Sequence, residues 1–189
     1  LRAADALSET VTGLLAELGM AGGRFAVELE DNPESLPQSH GLERCEFMVS
    51  ANPGQPLRAL RKVASGGELA RISLAIEVAT LGSDPVPTMV FDEVDAGIGG
   101  AVAETVGRKL RALGGRCQVL AVTRLAQVAS FGNRHLRVAK QTDGEATESQ
   151  VIPMLGSDRI HEIERMMGGK VLTPQTLAHA ETMLEHGQT

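Results

Sequence analysis

Thr88-Met89-Val90-Phe91-Asp92-Glu93 is the stretch on which the fold turns. Pro87 to Phe91 is a short, continuous apolar run, the pattern of a strand buried on both faces of a parallel sheet, and it delivers two acids at its carboxyl end. That edge is where ligands bind in α/β folds. Gln118 to Val122 is a second such run, and a glycine-rich turn and a helix, about Gly100 to Leu113, lie between the two. The spacing predicts strand, helix, strand with a right-handed crossover, hence an α/β fold.

Upstream, Ser65-Gly66-Gly67-Glu68 opens an apolar helical stretch that runs to about Leu81 and is stopped by Gly82 to Pro87. Arg24 to Glu30 and Arg44 to Ser50 alternate apolar with polar residues and read as half-buried strands, separated by a polar surface loop from Asp31 to Gly41. Asn52 to Pro56 is a turn-rich link. At the start of the chain, Leu7, Val11, Leu14 and Leu18 are spaced as the a/d seam of a helix that packs on one partner helix, although two heptads fit a plain amphipathic helix as well. Downstream, Leu125 to Ser130 is a short helix, and Asn133 to Gln141 pairs with Thr147 to Met154 as a hairpin through Asp143-Gly144. Helices at about Asp158 to Met167 and Pro174 to His186 complete the pattern.

Composition narrows the function. Of 189 residues 42% are apolar and 22% charged, the balance of a globular domain, and 18 Lys+Arg against 24 Asp+Glu give a net charge of −6. A globally basic face for a phosphate backbone is therefore absent. With no Trp, no Tyr and 4 Phe, the aromatic platforms of single-strand readers are missing too. Cys45 and Cys117 stand alone, with no disulfide or zinc spacing, which fits a reducing cytoplasm. No apolar run reaches the roughly 18 residues of a membrane span. The chain opens at Leu1 rather than Met, which suggests a piece of a longer protein.

Three places carry chemistry. Ser65 and Glu68 have the spacing of a capping box, and the two glycines between them, at the positive end of a helix, also leave amides open to a phosphate. Asp92, fixed by its strand end, suits Mg²⁺, and Glu93 beside it suits polarising a water for in-line attack, while two solvated acids after a strand remain the plainer account. Asp95-Ala96-Gly97-Ile98-Gly99-Gly100 is an acidic flexible turn. Thr123-Arg124 ends the second apolar run at the same sheet edge, where an arginine can sense a ligand or reach into solvent.

In this order and spacing the pieces resemble the C-terminal half of an ABC-type ATPase head. Glu68, where transporter ATPases carry glutamine, moves the match to the SMC-like branch. There the runs Ala51 to Leu57, Lys62 to Ile76 and Phe91 to Ile98, with Met166 to Gly169 and Thr173 to Leu184, closely resemble the RecN family of bacterial double-strand-break repair proteins. The resemblance implies the C-terminal lobe of a P-loop NTPase head, mainly parallel sheet with flanking helices and an added antiparallel hairpin. Residues 1–18 would be the returning end of a coiled-coil arm and 19–189 the lobe itself. It implies a nucleotide-binding signature at Ser65, Gly66 and Gly67 that closes over ATP held by an opposing head. Asp92 matches the Walker B metal ligand for Mg²⁺, Glu93 the catalytic glutamate, Asp95 the D-loop acid at a homodimer interface, and Arg124 the switch. Implied partners are an N-terminal Walker A lobe of the same protein, a second copy and DNA, with no membrane, in the cytoplasm or on the nucleoid.

Two departures stand out. GxxxxGK[ST] is absent: Gly168-Gly169-Lys170 is followed by valine, and 164 is Glu. The family resemblance leads one to expect Thr-His at the switch, and here Arg124 follows Thr123. Two other readings stay open on the residues: a metal-dependent phosphoesterase built on Asp92, Glu93 and Asp95, and an interaction module that has lost turnover.

Overall fold

The structure, a computed structural model, describes residues 2–31, 43–80, 86–142, 147–168 and 173–188. The polar loop after Asp31, the stop at Gly82 and the Asp143-Gly144 turn lie outside them. Helix α1 (Arg2–Glu17) leads through Gly19, whose φ of 82° suits a helix end, into strands β1 (Arg24–Asp31), β2 (Glu43–Ser50) and β3 (Arg58–Ala59). These form an antiparallel sheet in that order, with Phe25 opposite Val49 and Val27 opposite Phe47. β3 was not legible in the sequence because two residues carry no periodicity.

A 3-10 turn at Leu60–Lys62 leads to helix α2 (Gly66–Ala79), then β4 (Thr88–Phe91), α3 (Gly100–Gly114) and β5 (Gln118–Ala121). β4 and β5 pair in parallel across the α3 crossover, Met89 opposite Val119 and Phe91 opposite Ala121, as the two apolar runs predict. The parallel sheet is thus two strands of four residues, whereas the antiparallel partners β1 and β2 run to eight residues each.

One expectation needs correction: β4 and β5 are covered on one face only. Met89, Phe91 and Val119 join the core against α2 and α3, but Val90, Leu120 and Val122 are 66%, 46% and 60% exposed. The physical reason is the alternation of side chains in a strand, which sends 90 and 120 to the side opposite 89, 91 and 119. Among the described residues nothing packs over that side.

After β5 come α4 (Ala126–Ala129), the hairpin β6 (His135–Thr142) and β7 (Thr147–Met154), α5 (Gly156–Met166) and α6 (Pro174–Gln188). The C-terminal helices are bolted to the end of α4. The Arg159 guanidinium donates to the carbonyls of Ala129, Ser130 and Gly132, and Gln188 Nε2 to those of Ser130 and Gly132, so the helix's orphan acceptors are satisfied. Glu162, 5% exposed, takes two bonds from Arg165 at 2.8 and 2.6 Å and lies 3.7 Å from Arg137 of β6. Those bonds hold its carboxyl below the ordinary range.

The main core joins α1, the antiparallel sheet, α2, α3 and the inner face of β4–β5, with Val11, Leu15, Leu18, Ile72, Leu74, Val94 and Val106 fully buried. Leu15 lies outside the a/d spacing, so α1 buries a stripe wider than a coiled-coil seam. The antiparallel sheet and helix α2 together receive that stripe. Each such side chain contributes about 1.5–3 kcal/mol by leaving water.

Polar bonds fix the angle of α1. Ser8 Oγ accepts from the Val27 amide at 3.0 Å, and Thr12 Oγ1 accepts from the Phe25 amide at 3.0 Å and faces the Phe25 carbonyl at 3.2 Å. Replacing Thr12 by Val keeps the shape and strands the Phe25 N–H, at a cost of roughly 1–3 kcal/mol. The exposed Thr10→Val should stay within about 0.5 kcal/mol. Urea denaturation of the two variants side by side measures the difference.

Candidate functional site

The site grows from the amino end of α2 and the carboxyl ends of β4 and β5. Ser65 is the N-cap of α2 and its Oγ accepts from the Glu68 amide, a long bond of 3.4 Å. The reciprocal bond of a capping box, from Glu68 back to Ser65, does not form among the described residues. Ser65 and Gly66 are exposed, and neither the Gly66 nor the Gly67 amide has an acceptor there. A helix start with free amides and a nearby hydroxyl is a donor set for an anion.

Across from it, β4 ends in Asp92 and Glu93, both exposed. Asp92 Oδ1 accepts from the Glu93 amide at 2.8 Å, and its second oxygen has no partner among the described residues. A carboxylate so presented suits a hard cation. Glu93 sits at φ 58°, the one described non-glycine residue with positive φ, a conformation that costs on the order of 1–3 kcal/mol and persists only where neighbours enforce it. Its carboxylate lies so close over Gly66 that a Cβ there would collide with Oε2.

Beyond Glu93 the chain turns at once, the Ala96 amide bonding the Glu93 carbonyl at 2.9 Å. Asp95, 5% exposed, points inward: Oδ2 accepts from the Thr123 hydroxyl at 2.6 Å and from the Arg124 amide at 3.0 Å. Thr123 Oγ1 in turn accepts from the Leu125 amide at 3.0 Å. The D-loop acid of the resemblance is therefore occupied within its own chain, tying the ends of β4 and β5 together. Arg124 joins this knot through its backbone; its side chain is exposed and makes no ion pair with Asp92 or Glu93 among the described residues.

The structure thus brings Ser65, Gly66, Gly67, Asp92, Glu93, Asp95, Thr123 and Arg124 into one neighbourhood. Among the described residues no group of three His, Cys, Asp or Glu side chains, the three acids included, is placed to hold a metal ion, and the phosphoesterase alternative is not favoured. Sequence reasoning missed Arg71. It lies on α2, is 7% exposed, and donates from Nη1 to the Ala96 carbonyl at 2.7 Å. Burial pulls its pKa down, with Glu68 opposing. The available signal was a cation on the stretch Leu69 to Ile76, otherwise apolar but for Ser73, where a surface residue is the default assumption.

The two glycines have different duties. A Cβ on Gly66 meets only the movable end of Glu93, whereas a Cβ on Gly67 would stand 2.8 Å from the Ala96 methyl and 3.2 Å from the Ala96 carbonyl oxygen. Gly66→Ala should leave stability within about 0.5 kcal/mol. Gly67→Ala must push the 93–96 turn away and should cost about 1–3 kcal/mol. Thermal melts of both variants decide; equal melting temperatures would contradict the close approach at Gly67.

No protein-family model matches the chain. Among curated proteins it is 52% identical over 187 residues to the DNA repair protein RecN of Xylella fastidiosa (strain 9a5c), covering 99% of this chain and 34% of that protein. To RecN of Vibrio cholerae it is 45% identical over 185 residues, covering 97% and 33%. The chain spans about a third of the length of these relatives. Among solved structures, the Smc head domain with a coiled coil and joint from Pyrococcus yayanosii aligns with a TM-score of 0.62 at 23% identity, over 88% of this chain and 30% of that one. The Smc head from Pyrococcus furiosus bound to the C-terminal domain of ScpA gives 0.59 at 24% identity, over 89% and 39%. In sequence the chain matches the C-terminal part of the DNA repair protein RecN, and in fold the head of SMC ATPases.

Proposed function

We propose that this chain is the C-terminal lobe of an ATP-hydrolysing head in a RecN-like protein that acts on broken DNA in the cytoplasm, at the nucleoid. The observation that carries the reading is the single neighbourhood of signature turn, strand-end acids and switch, in a chain 52% identical over 187 residues to a DNA repair protein RecN. Residues 1–18 form the base of a returning coiled-coil arm and 19–189 the lobe. An N-terminal lobe carrying the P-loop, for which this sequence has no GxxxxGK[ST], covers the exposed apolar face of Val90, Leu120 and Val122. This chain by itself then neither binds ATP tightly nor hydrolyses it.

In that head Asp92 holds Mg²⁺, which offsets the charge of the ATP phosphates. Glu93 accepts a proton from the attacking water. Ser65 and the amides of Gly66 and Gly67 donate to the nucleotide of a second copy, so that two heads close around two ATP molecules. Asp95, from its buried position, holds the turn that meets the other head. Arg124, exposed and without an ion pair among the described residues, donates from its guanidinium to phosphate oxygens in place of a histidine.

In the full-length protein Glu93→Gln should lower ATP hydrolysis by roughly 10²- to 10⁴-fold, because the base is lost while shape is kept. ATP-bound dimers should accumulate, as size measurements with ATP would show; fewer dimers than the parent would give Glu93 a structural role only. Arg124→Ala should slow turnover by about tenfold or more and Arg124→His should largely preserve it. Steady-state rates of the two variants test this, and an unchanged Arg124→Ala returns the residue to plain solvent exposure.

A further inference from the structure

The turn at Glu93 to Ala96 is held from two sides. On one side Asp95 binds Thr123 and the Arg124 amide at the end of β5. On the other, Arg71 reaches out of α2 to the Ala96 carbonyl at 2.7 Å, and its Nη1 lies 3.3 Å from where a Cβ of Gly67 would stand. Arg71 therefore occupies the joint between the signature turn and the turn that begins with Glu93. A guanidinium is a costly filler for such a place: it is buried at 7% exposure, and its Nε has no partner among the described residues. Methionine or leucine would pack there without stranding a donor. What the cation adds over them is the bond to Ala96.

That bond bears on Glu93 directly. The Ala96 amide closes the turn onto the Glu93 carbonyl, and Glu93 is the residue with left-handed backbone. Such a conformation is kept only while the surroundings over-determine it. With Arg71 removed, the turn keeps the Asp95 anchor on one side and loses its tie to α2 on the other, so Glu93 is free to relax and carry its carboxylate with it.

We infer that Arg71 is a positioning residue for Glu93, coupling the signature helix to the general base within one chain. The inference rests on the ATPase reading above. In a head dimer the signature turn serves the partner's nucleotide and Glu93 serves the chain's own, so Arg71 joins the two ATP sites mechanically.

The test uses the full-length protein with Arg71→Met, Arg71→Lys, Glu93→Gln and the double variant Arg71→Met/Glu93→Gln. Arg71→Met should lower kcat by up to about 10²-fold, the scale of a misplaced catalytic group, with KM for ATP changed less than about threefold. Arg71→Lys, whose ammonium can still donate to Ala96, should recover most of the rate. In single-turnover measurements Arg71→Met should add nothing to Glu93→Gln, because one acts through the other. Additive losses, an unchanged kcat, or a fall in melting temperature with no split between kcat and KM would overturn the inference. If Arg71→Met does not fold, Arg71→Gln, too short for the Ala96 carbonyl, carries the same test, and an unchanged kcat again overturns it. Absence of ATP hydrolysis in the parent protein is a distinct result, which would refute the ATPase reading itself.

Discussion

A buried carboxylate sets the geometry of the edge where β4 and β5 end. Asp95 leaves water to take two hydrogen bonds, from the Thr123 hydroxyl and the Arg124 amide, and both donors sit at the end of the neighbouring strand. Bonds to a charged acceptor in a dry setting are about twice as strong as neutral ones. This one fixes where β4 stops relative to β5, hence where the turn at Glu93 must begin, and so the approach of Glu93 to Gly66 and of Ala96 to Gly67. The left-handed backbone at Glu93 is the visible sign of this constraint: local preference yields where tertiary bonds insist.

Much of this is legible in the sequence. The apolar runs that became β4 and β5 are short and uninterrupted, and the strand-helix-strand spacing left one crossover to consider, so the parallel pairing followed. Alternation in Phe25, Val27 and Leu29 fixed the face of β1 for the same kind of reason. Ser65, Gly66, Gly67, Asp92 and Glu93 could be grouped because their spacing is itself chemical information. What could not be read was direction. Asp95 is buried against the end of β5, and Arg71 is buried and not solvated; in each case a contact 25 or more residues away decides, and no local pattern encodes it. Burial of β4 and β5 on both faces does not follow from their apolar runs, because a run states what a strand needs, and the described residues supply a cover on one side only.

The same mismatch recurs in the hairpin. Leu136 and Val138 of β6 and Val151 of β7 share one face and are 53%, 66% and 62% exposed. Two strands with one uncovered apolar face are marginal alone in water. Here the opposite face is held by Arg137 on Glu162, which keeps the hairpin in place without burying its outer side chains. Both apolar faces are left uncovered among the described residues.

The hydroxyls of Ser8 and Thr12 have a consequence for how the chain behaves among its own copies. β1 is the outer strand of its sheet, and the backbone donors of Phe25 and Val27 on its free side are taken by α1 rather than by another strand. An outer strand with unclaimed donors is a template for intermolecular pairing, and Phe25, Val27 and Leu29 have the alternation that favours it. By claiming two donors one helical turn apart, α1 serves as a guard against aggregation as well as a packing element. Any movement that lifts α1 from the sheet must bare that edge, so the junction resists peeling and the base of α1 moves with the sheet as a single body.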